Sequence, residues 1–230
     1  MVIARDRPLL CFVHSTQGDA RETRTAARAL ATAGGDAWGE VDLVQVRGKD
    51  LPAGDLADLA RDWIEALADH PSTLVVVNDR LDVALAAGAD GVHVGQEDLP
   101  AAQARALAPR SFVIGVSAHG RGEMELAQRS EADYAGLGAF YPTGTKTGAA
   151  VLDRRDLRTP VPGLTIPVVA IGGITPERVA EVMAFPAVTG VAVSAAIQAA
   201  REPAKAIREL RSTLDRAWRE RAPERPREGP

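Results

Sequence analysis

The pattern that most constrains this chain is a short β-branched run followed by an Ala/Leu/Arg-rich segment, met eight times in succession. The runs are PLLCFVH (8–14), VDLVQVR (41–47), STLVVVN (72–78), DGVHVG (90–95), SFVIGVS (111–117), DYAGLGAF (133–140), IPVVAIGG (166–173) and TGVAVSA (189–195). Their length and Val content predict strands. Between them, residues 51–68 place Leu56, Leu59, Ala60, Trp63, Ile64 and Leu67 at helical spacing on one face. Helices are also expected over 21–33, from 80 onwards, and over 99–108, 122–130 and 202–219. Thr175 is expected to cap another, with Pro176 in its first position and Glu177 in its first turn. Helical crossovers impose parallel strands. A doubly wound open sheet satisfies that pattern, but eight units with none missing favour a closed (β/α)8 TIM barrel.

A chain of 230 residues, 46% of them hydrophobic, is enough to bury one such core. We expect one TIM-barrel catalytic domain over 1–219 and a disordered tail over 220–230, where APERPREGP lacks apolar periodicity. With 27 basic and 31 acidic residues the net charge is −4, which gives no electrostatic case for nucleic acid or a membrane surface. The lone Cys11, inside the apolar LLCFV, excludes an intramolecular disulfide and is expected to be a buried structural thiol. LLCFV is too short for a signal-peptide core or a membrane span, so a soluble cytoplasmic protein is expected.

In a barrel of this kind the site lies at the carboxyl ends of the strands. After the second strand, Gln45, Arg47 and Lys49 are spaced by two and share one side. If that side is inward, two cations face the mouth and call for an anion; alternation alone does not fix which side is inward. The stretch 74–100 then delivers Asn78 and Asp79 after the third strand, and Gln96, Glu97 and Asp98 after the fourth. Taken singly, Asp79 and Asp98 could cap the helices behind them. Taken together on adjacent strands, opposite a basic set, they suit a divalent metal, and an oxygen-only ligand set suits Mg²⁺ rather than zinc. His93, in mid-strand, is expected to be a hydrogen-bonded core histidine. Ser117, followed by His119, ends the fifth strand; Thr143, Thr145 and Lys146 lie on the loop after the sixth. Gly172 and Gly173 end the seventh, and Val193 and Ser194 the eighth. Glycine-rich or small-residue ends on the last two strands suit a phosphate held by backbone amides.

The motifs VQVRGKD, VVVNDR, GADGVHVGQEDLP, GVSAH, ADYAGLGAFYPTGTK, VVAIGGI and GVAVSAAI together resemble the successive motifs of the thiamine-phosphate synthase family, in order, from about Leu43 to Ile197. That family joins hydroxymethylpyrimidine diphosphate to hydroxyethylthiazole phosphate, releasing diphosphate and giving thiamine phosphate. The resemblance implies that Gln45, Arg47, Lys49, Asn78 and Lys146 bind the pyrimidine diphosphate, with Ser117 also touching that substrate. It implies Asp79 and Asp98 as Mg²⁺ ligands, and Thr143, Thr145, Gly173, Val193 and Ser194 around the thiazole phosphate. Arg47, Lys49, Ser117 and Lys146 become the catalytic set. The partners implied are the two small molecules, with no nucleic acid or membrane, and homo-oligomer formation is left open.

The chain departs from the family pattern at three places. Gly48 stands at a position usually acidic, Gly144 replaces the proline of PTPTK, and His14–Ser15 replaces a more usual Thr-Asp. Two rival functions use parts of the same pattern. A thiazole tautomerase-like isomerase of the same fold would take His119 as its acid/base, and a non-catalytic phosphate-ligand barrel would leave the acid pair without a role.

Overall fold

The structure, a computed structural model, describes residues 7–16, 18–143 and 151–221. The eight strands are β1 (Leu9–Ser15), β2 (Leu43–Arg47), β3 (Leu74–Asn78), β4 (Gly91–Val94), β5 (Val113–Ala118), β6 (Tyr134–Gly138), β7 (Val168–Ile171) and β8 (Gly190–Val193). They pair in parallel in chain order, and β8 returns to β1 with Leu9 opposite Gly190, which closes the barrel and excludes the open sheet. The helices are α1 (Ala20–Gly34), α2 (Ala53–Ala66), α3 (Leu81–Ala87), α4 (Ala101–Leu107), α5 (Arg121–Arg129), α6 (Val179–Met183), α7 (Ala195–Gln198) and α8 (Pro203–Arg221).

Two local expectations are corrected. After β6 the described residues hold a three-residue 3-10 turn, Asp156–Arg158, so the sixth unit has no full helix there. Thr175 does not cap the backbone of the 3-10 turn Pro176–Arg178 that precedes α6. Its hydroxyl instead donates to the Glu177 carboxylate at 2.6 Å, a local side-chain bond that competes with capping.

The strand period of two divides the apolar residues between two cores. Leu9, Cys11, Val13, Leu43, Leu74, Val76, Val113, Tyr134, Val169 and Ala192 form the cluster inside the barrel. Leu10, Phe12, Val44, Val46, Val75 and Val77 face outward into the larger cluster under the helices. Burial on both faces explains why the runs look continuously hydrophobic rather than alternating. Inside, His93 and Tyr134 occupy the space beside Gly115. A Cβ at Gly115 would come within 2.2 Å of the Tyr134 ring and 2.5 Å of His93 Nδ1.

The amino-terminal end of the barrel repeats one device four times. The residue just before each even-numbered strand accepts an N–H from the preceding odd-numbered one: Asp42 from Leu10 (2.8 Å), Asp90 from Val75 (2.8 Å), Asp133 from Ile114 (2.7 Å) and Thr189 from Val168 (2.9 Å). Each satisfies a backbone donor that would otherwise be left without a partner. Buried Arg211 of α8 adds bonds to Asp42 (3.2 Å), the Pro8 carbonyl (2.9 Å) and Asp215 (2.6 Å), so its charge is met by two carboxylates.

On the outer face of β1, His14 packs edge-on to Trp63 at 5.3 Å, within a group that includes Phe12 and Trp38. Its Nδ1 accepts the Trp63 indole N–H at 3.0 Å, and burial pushes its pKa down to about 4. Between pH 4 and the unfolded value of 6.5, the unfolded chain holds a proton here that the folded one does not. Stability contributed by neutral His14 is therefore complete above pH 6.5 and lost as pH falls towards 4, by up to about 3 kcal/mol. Urea unfolding at a series of pH values checks this. The stability difference between wild type and His14→Gln should shrink across that window, and parallel curves would refute it.

Candidate active site

All eight strands point their carboxyl ends at one mouth, where a cavity of about 830 Å³ runs down the barrel axis. Its floor is apolar, with Cys11, Val13, Leu43, Val169 and Ala192, and its rim is polar. Burial and the nearby Asp42 carboxylate push the Cys11 thiol far above its ordinary range, so it stays protonated and serves as wall rather than nucleophile.

The first edge of the mouth comes from β2, β3 and β4. Gln45, Arg47, Lys49, Asn78 and Asp79 all line the cavity, which settles the inward direction of the basic set. Gln45 donates its amide to Asn78 Oδ1 at 2.6 Å, so two buried polar side chains satisfy each other and keep a fixed orientation. Lys49, just past the end of β2, reaches to 3.6 Å from the Asp79 carboxylate.

Asp79 is held in the left-handed region at φ 65°, an unusual conformation for a non-glycine residue and one that concentrates at functional sites. Its N–H donates to the His93 carbonyl at 2.7 Å, across to β4. Helix α3 starts from Arg80 and α4 from Pro100, each with no side-chain cap, so neither acid serves as the helix cap that the sequence also allowed. Asp98 instead accepts the Gly95 N–H at 2.7 Å, and its carboxyl lies close enough to Asp79 to act on that residue's proton. Burial, then the neighbouring Asp98 carboxyl and its charge, raise the Asp79 pKa to about 6, while Lys49 and Arg47 pull it down. Two carboxyls in contact beside two cations form a site that gains from a divalent ion. Mg²⁺ needs only one or two protein carboxylates, with water and phosphate oxygens for the rest, and this donor set fits it. Among the described residues there is no group of three or more His, Cys, Asp or Glu that could hold a metal by itself.

The middle of the mouth is a buried hydrogen-bonded column. Tyr134 OH lies 2.9 Å from His93 Nδ1, and His93 Nε2 lies 3.0 Å from Ser117 Oγ. His93 is thus an interior histidine that links the barrel core to the hydroxyl at the cavity wall. Gln96 steadies the same place from outside, donating to the Ser117 carbonyl at 2.5 Å. His119 sits on the rim, half-exposed, with Nδ1 at 3.0 Å from Glu123.

The opposite edge comes from β6, β7 and β8. Gly172 and Gly173 have φ of 103° and 62°, and a Cβ on Gly173 would lie 2.7 Å from the Pro142 carbonyl oxygen and 2.9 Å from Tyr141 Cβ. The glycines therefore let the chain after β6 lie directly on the turn after β7. Thr143, Gly173, Val193 and Ser194 all line the cavity. The Val193 side chain belongs to the outer core, so this residue meets the cavity through its backbone. Thr145 and Lys146 lie outside the described residues.

Three residues at the mouth were given no role from the sequence. Ser15, noted there only as a departure from the family pattern, is inward by the same parity as Cys11 and Val13, a signal that alternation carries. Gln198 of α7 and Arg178 beside Gly173 line the cavity through loop geometry, which has no periodic signature.

Residues 10–197 match the thiamine monophosphate synthase family. The chain belongs to that family. A thiamine-phosphate synthase of Moorella thermoacetica is 41% identical over 210 residues, covering 91% of this chain and 96% of the relative. One of Methanobrevibacter smithii is 42% identical over 165 residues, covering 72% and 78%. Among solved structures, a thiamine phosphate pyrophosphorylase of Pyrococcus furiosus superposes with a TM-score of 0.73 at 32% identity, over 91% of this chain and 96% of that one. A member of the thiamine monophosphate synthase family is an enzyme, a transferase, and the two-edged mouth is where its chemistry is to be sought.

Proposed function

We propose that this thiamine monophosphate synthase family member joins hydroxymethylpyrimidine diphosphate to hydroxyethylthiazole phosphate, giving thiamine phosphate and diphosphate. One observation carries the reading: Asp79 stands with Lys49 and Arg47 on one edge of a deep apolar cavity, and the Asp98 carboxyl lies beside Asp79 just outside the cavity lining. That edge suits a diphosphate with a hard cation. The glycine turn and Ser194 across the cavity suit a monophosphate, and the apolar shaft between them suits two flat heterocycles.

Asp79 and Asp98 would hold Mg²⁺, which when bound neutralises charge on the departing diphosphate oxygens. Arg47, Lys49 and Lys146 are assigned to the diphosphate, where cations already in place stabilise charge as it grows. Gln45, Asn78 and Ser117 orient the aminopyrimidine, whose ring supports a cation at its exocyclic methylene and so favours a dissociative displacement. Thr143, Thr145, Gly173, Val193 and Ser194 hold the thiazole phosphate, placing the ring nitrogen to capture that cation by proximity. No protein nucleophile is required.

Incubating both phosphorylated heterocycles with the protein, with and without Mg²⁺, tests the proposal. Thiamine phosphate should form only with the cation present, and Lys146→Ala should abolish it without loss of fold. Isomerisation of the thiazole phosphate alone, without diphosphate release, would overturn the assignment. No helix of the described residues is long and apolar enough to cross a membrane. We place the reaction in the cytoplasm.

A further inference from the structure

The last residues of β1 outrun β8. Pairing of β1 with β8 ends at Phe12 opposite Val193, whereas pairing with β2 continues to Ser15 opposite Arg47. Ser15 therefore needs a partner on its other side, and the amide of Gln198 supplies it. Gln198 Oε1 accepts the Ser15 N–H at 3.2 Å and its Nε2 donates to the Ser15 carbonyl at 2.9 Å, standing in for the missing strand.

So anchored, the end of β1 grips Arg47 at both its side chain and its backbone. Arg47 Nη1 donates to Ser15 Oγ at 2.9 Å. The Arg47 carbonyl accepts from the Thr16 N–H at 2.9 Å and the Thr16 hydroxyl at 3.3 Å. Gln198 lies one helical turn beyond Ser194, on the edge assigned to the monophosphate. A chain of direct hydrogen bonds thus runs from one edge of the cavity to the guanidinium on the other.

We infer that Ser15 and Gln198 are positioning residues that hold the Arg47 guanidinium toward the diphosphate, an inference that rests on the function proposed above. A flexible arginine fixed before the anion arrives has less freedom to lose on binding. The hydroxyl suffices for this because it accepts from the guanidinium without neutralising it. Serine thus leaves the whole charge of Arg47 to the ligand, whereas a carboxylate at position 15 would compete for it.

Titration calorimetry with inorganic pyrophosphate and excess Mg²⁺, on the full chain, tests the inference. Ser15→Ala and Gln198→Met should each weaken pyrophosphate binding about five- to tenfold, with unchanged thermal midpoints. Ser15→Thr, which keeps the hydroxyl, should bind within about twofold of wild type. In steady state Ser15→Ala should raise KM for the diphosphate substrate and leave KM for the monophosphate substrate within about twofold. If Arg47→Ala loses pyrophosphate while Ser15→Ala binds it like wild type, or Ser15→Thr is as weak as Ser15→Ala, the positioning role is wrong and the assignment of the edge stands. If Arg47→Ala itself binds like wild type, the assignment of the edge falls and the inference falls with it.

Discussion

Asp79→Asn should lower kcat by about a thousandfold or more and leave the metal-free protein at least as stable as wild type at pH 7. The two halves have separate causes. Asparagine has the shape of aspartate and tolerates the left-handed conformation that this residue adopts at φ 65°, so the backbone is not strained further. It has no charge, however, and the acid pair proposed to hold Mg²⁺ beside the diphosphate is lost. The stability gain follows from the raised pKa. The folded-state value of about 6 lies above the ordinary aspartate value of 3.8, so the unfolded chain gives up this proton first. Wild-type stability therefore falls as pH rises from about 4 to 6, and above 6 the ionised group carries its full cost, about 1–3 kcal/mol. Loss of the contact with Lys49 offsets part of it, since that pair is half-exposed. Turnover assays with Mg²⁺ titration check the first half, and urea unfolding without divalent cation checks the second. A variant with wild-type turnover would remove the acid pair from the mechanism, and one several kcal/mol less stable would show the carboxylate to be structural.

Gly173→Val should fail at the other edge. A β-branched residue at φ 62° costs about 1–2 kcal/mol in the backbone alone. Its Cβ would also meet the Pro142 carbonyl oxygen at 2.7 Å, which belongs to the backbone and cannot swing aside as a side chain would. The turn must move away from the chain after β6, and with it the amides assigned to the monophosphate. KM for the thiazole phosphate should rise at least about tenfold, while pyrophosphate affinity across the cavity stays within about twofold. Gly122→Ala is a fitting control, since a Cβ there meets nothing within 4 Å. Equal loss of both ligands in Gly173→Val would mean that the two edges are not separate sites.

The barrel was legible in the sequence because its cause is local. Eight β-branched runs, seven of them followed by a helix among the described residues, leave few ways to satisfy parallel pairing, and the short continuous Val runs record burial on both faces. The amino-terminal device was legible in principle too, since Asp42, Asp90, Asp133 and Thr189 each stand one residue before an even-numbered strand. Where local rules misled, a side chain had found a nearer partner. Thr175 has the residues of a helix start around it, yet its hydroxyl bonds Glu177.

The site divides in the same way. The sequence by itself determined that Arg47, Asn78, Asp79, Ser117, Gly173 and Ser194 stand at the mouth, because position at the carboxyl end of a strand follows from order along the chain. The inward parity of Gln45 and Arg47, and the choice between capping and facing one another for Asp79 and Asp98, were open until the strands closed. Parity depends on which face of β2 meets the barrel axis, and the acid pair on the left-handed turn at Asp79. Ser15 and Gln198 lie still further from local rules. Their contact spans 183 residues of chain and exists because β8 stops short of the end of β1. Only the closed tertiary structure could decide it, since the length difference between two neighbouring strands matters only once they are paired.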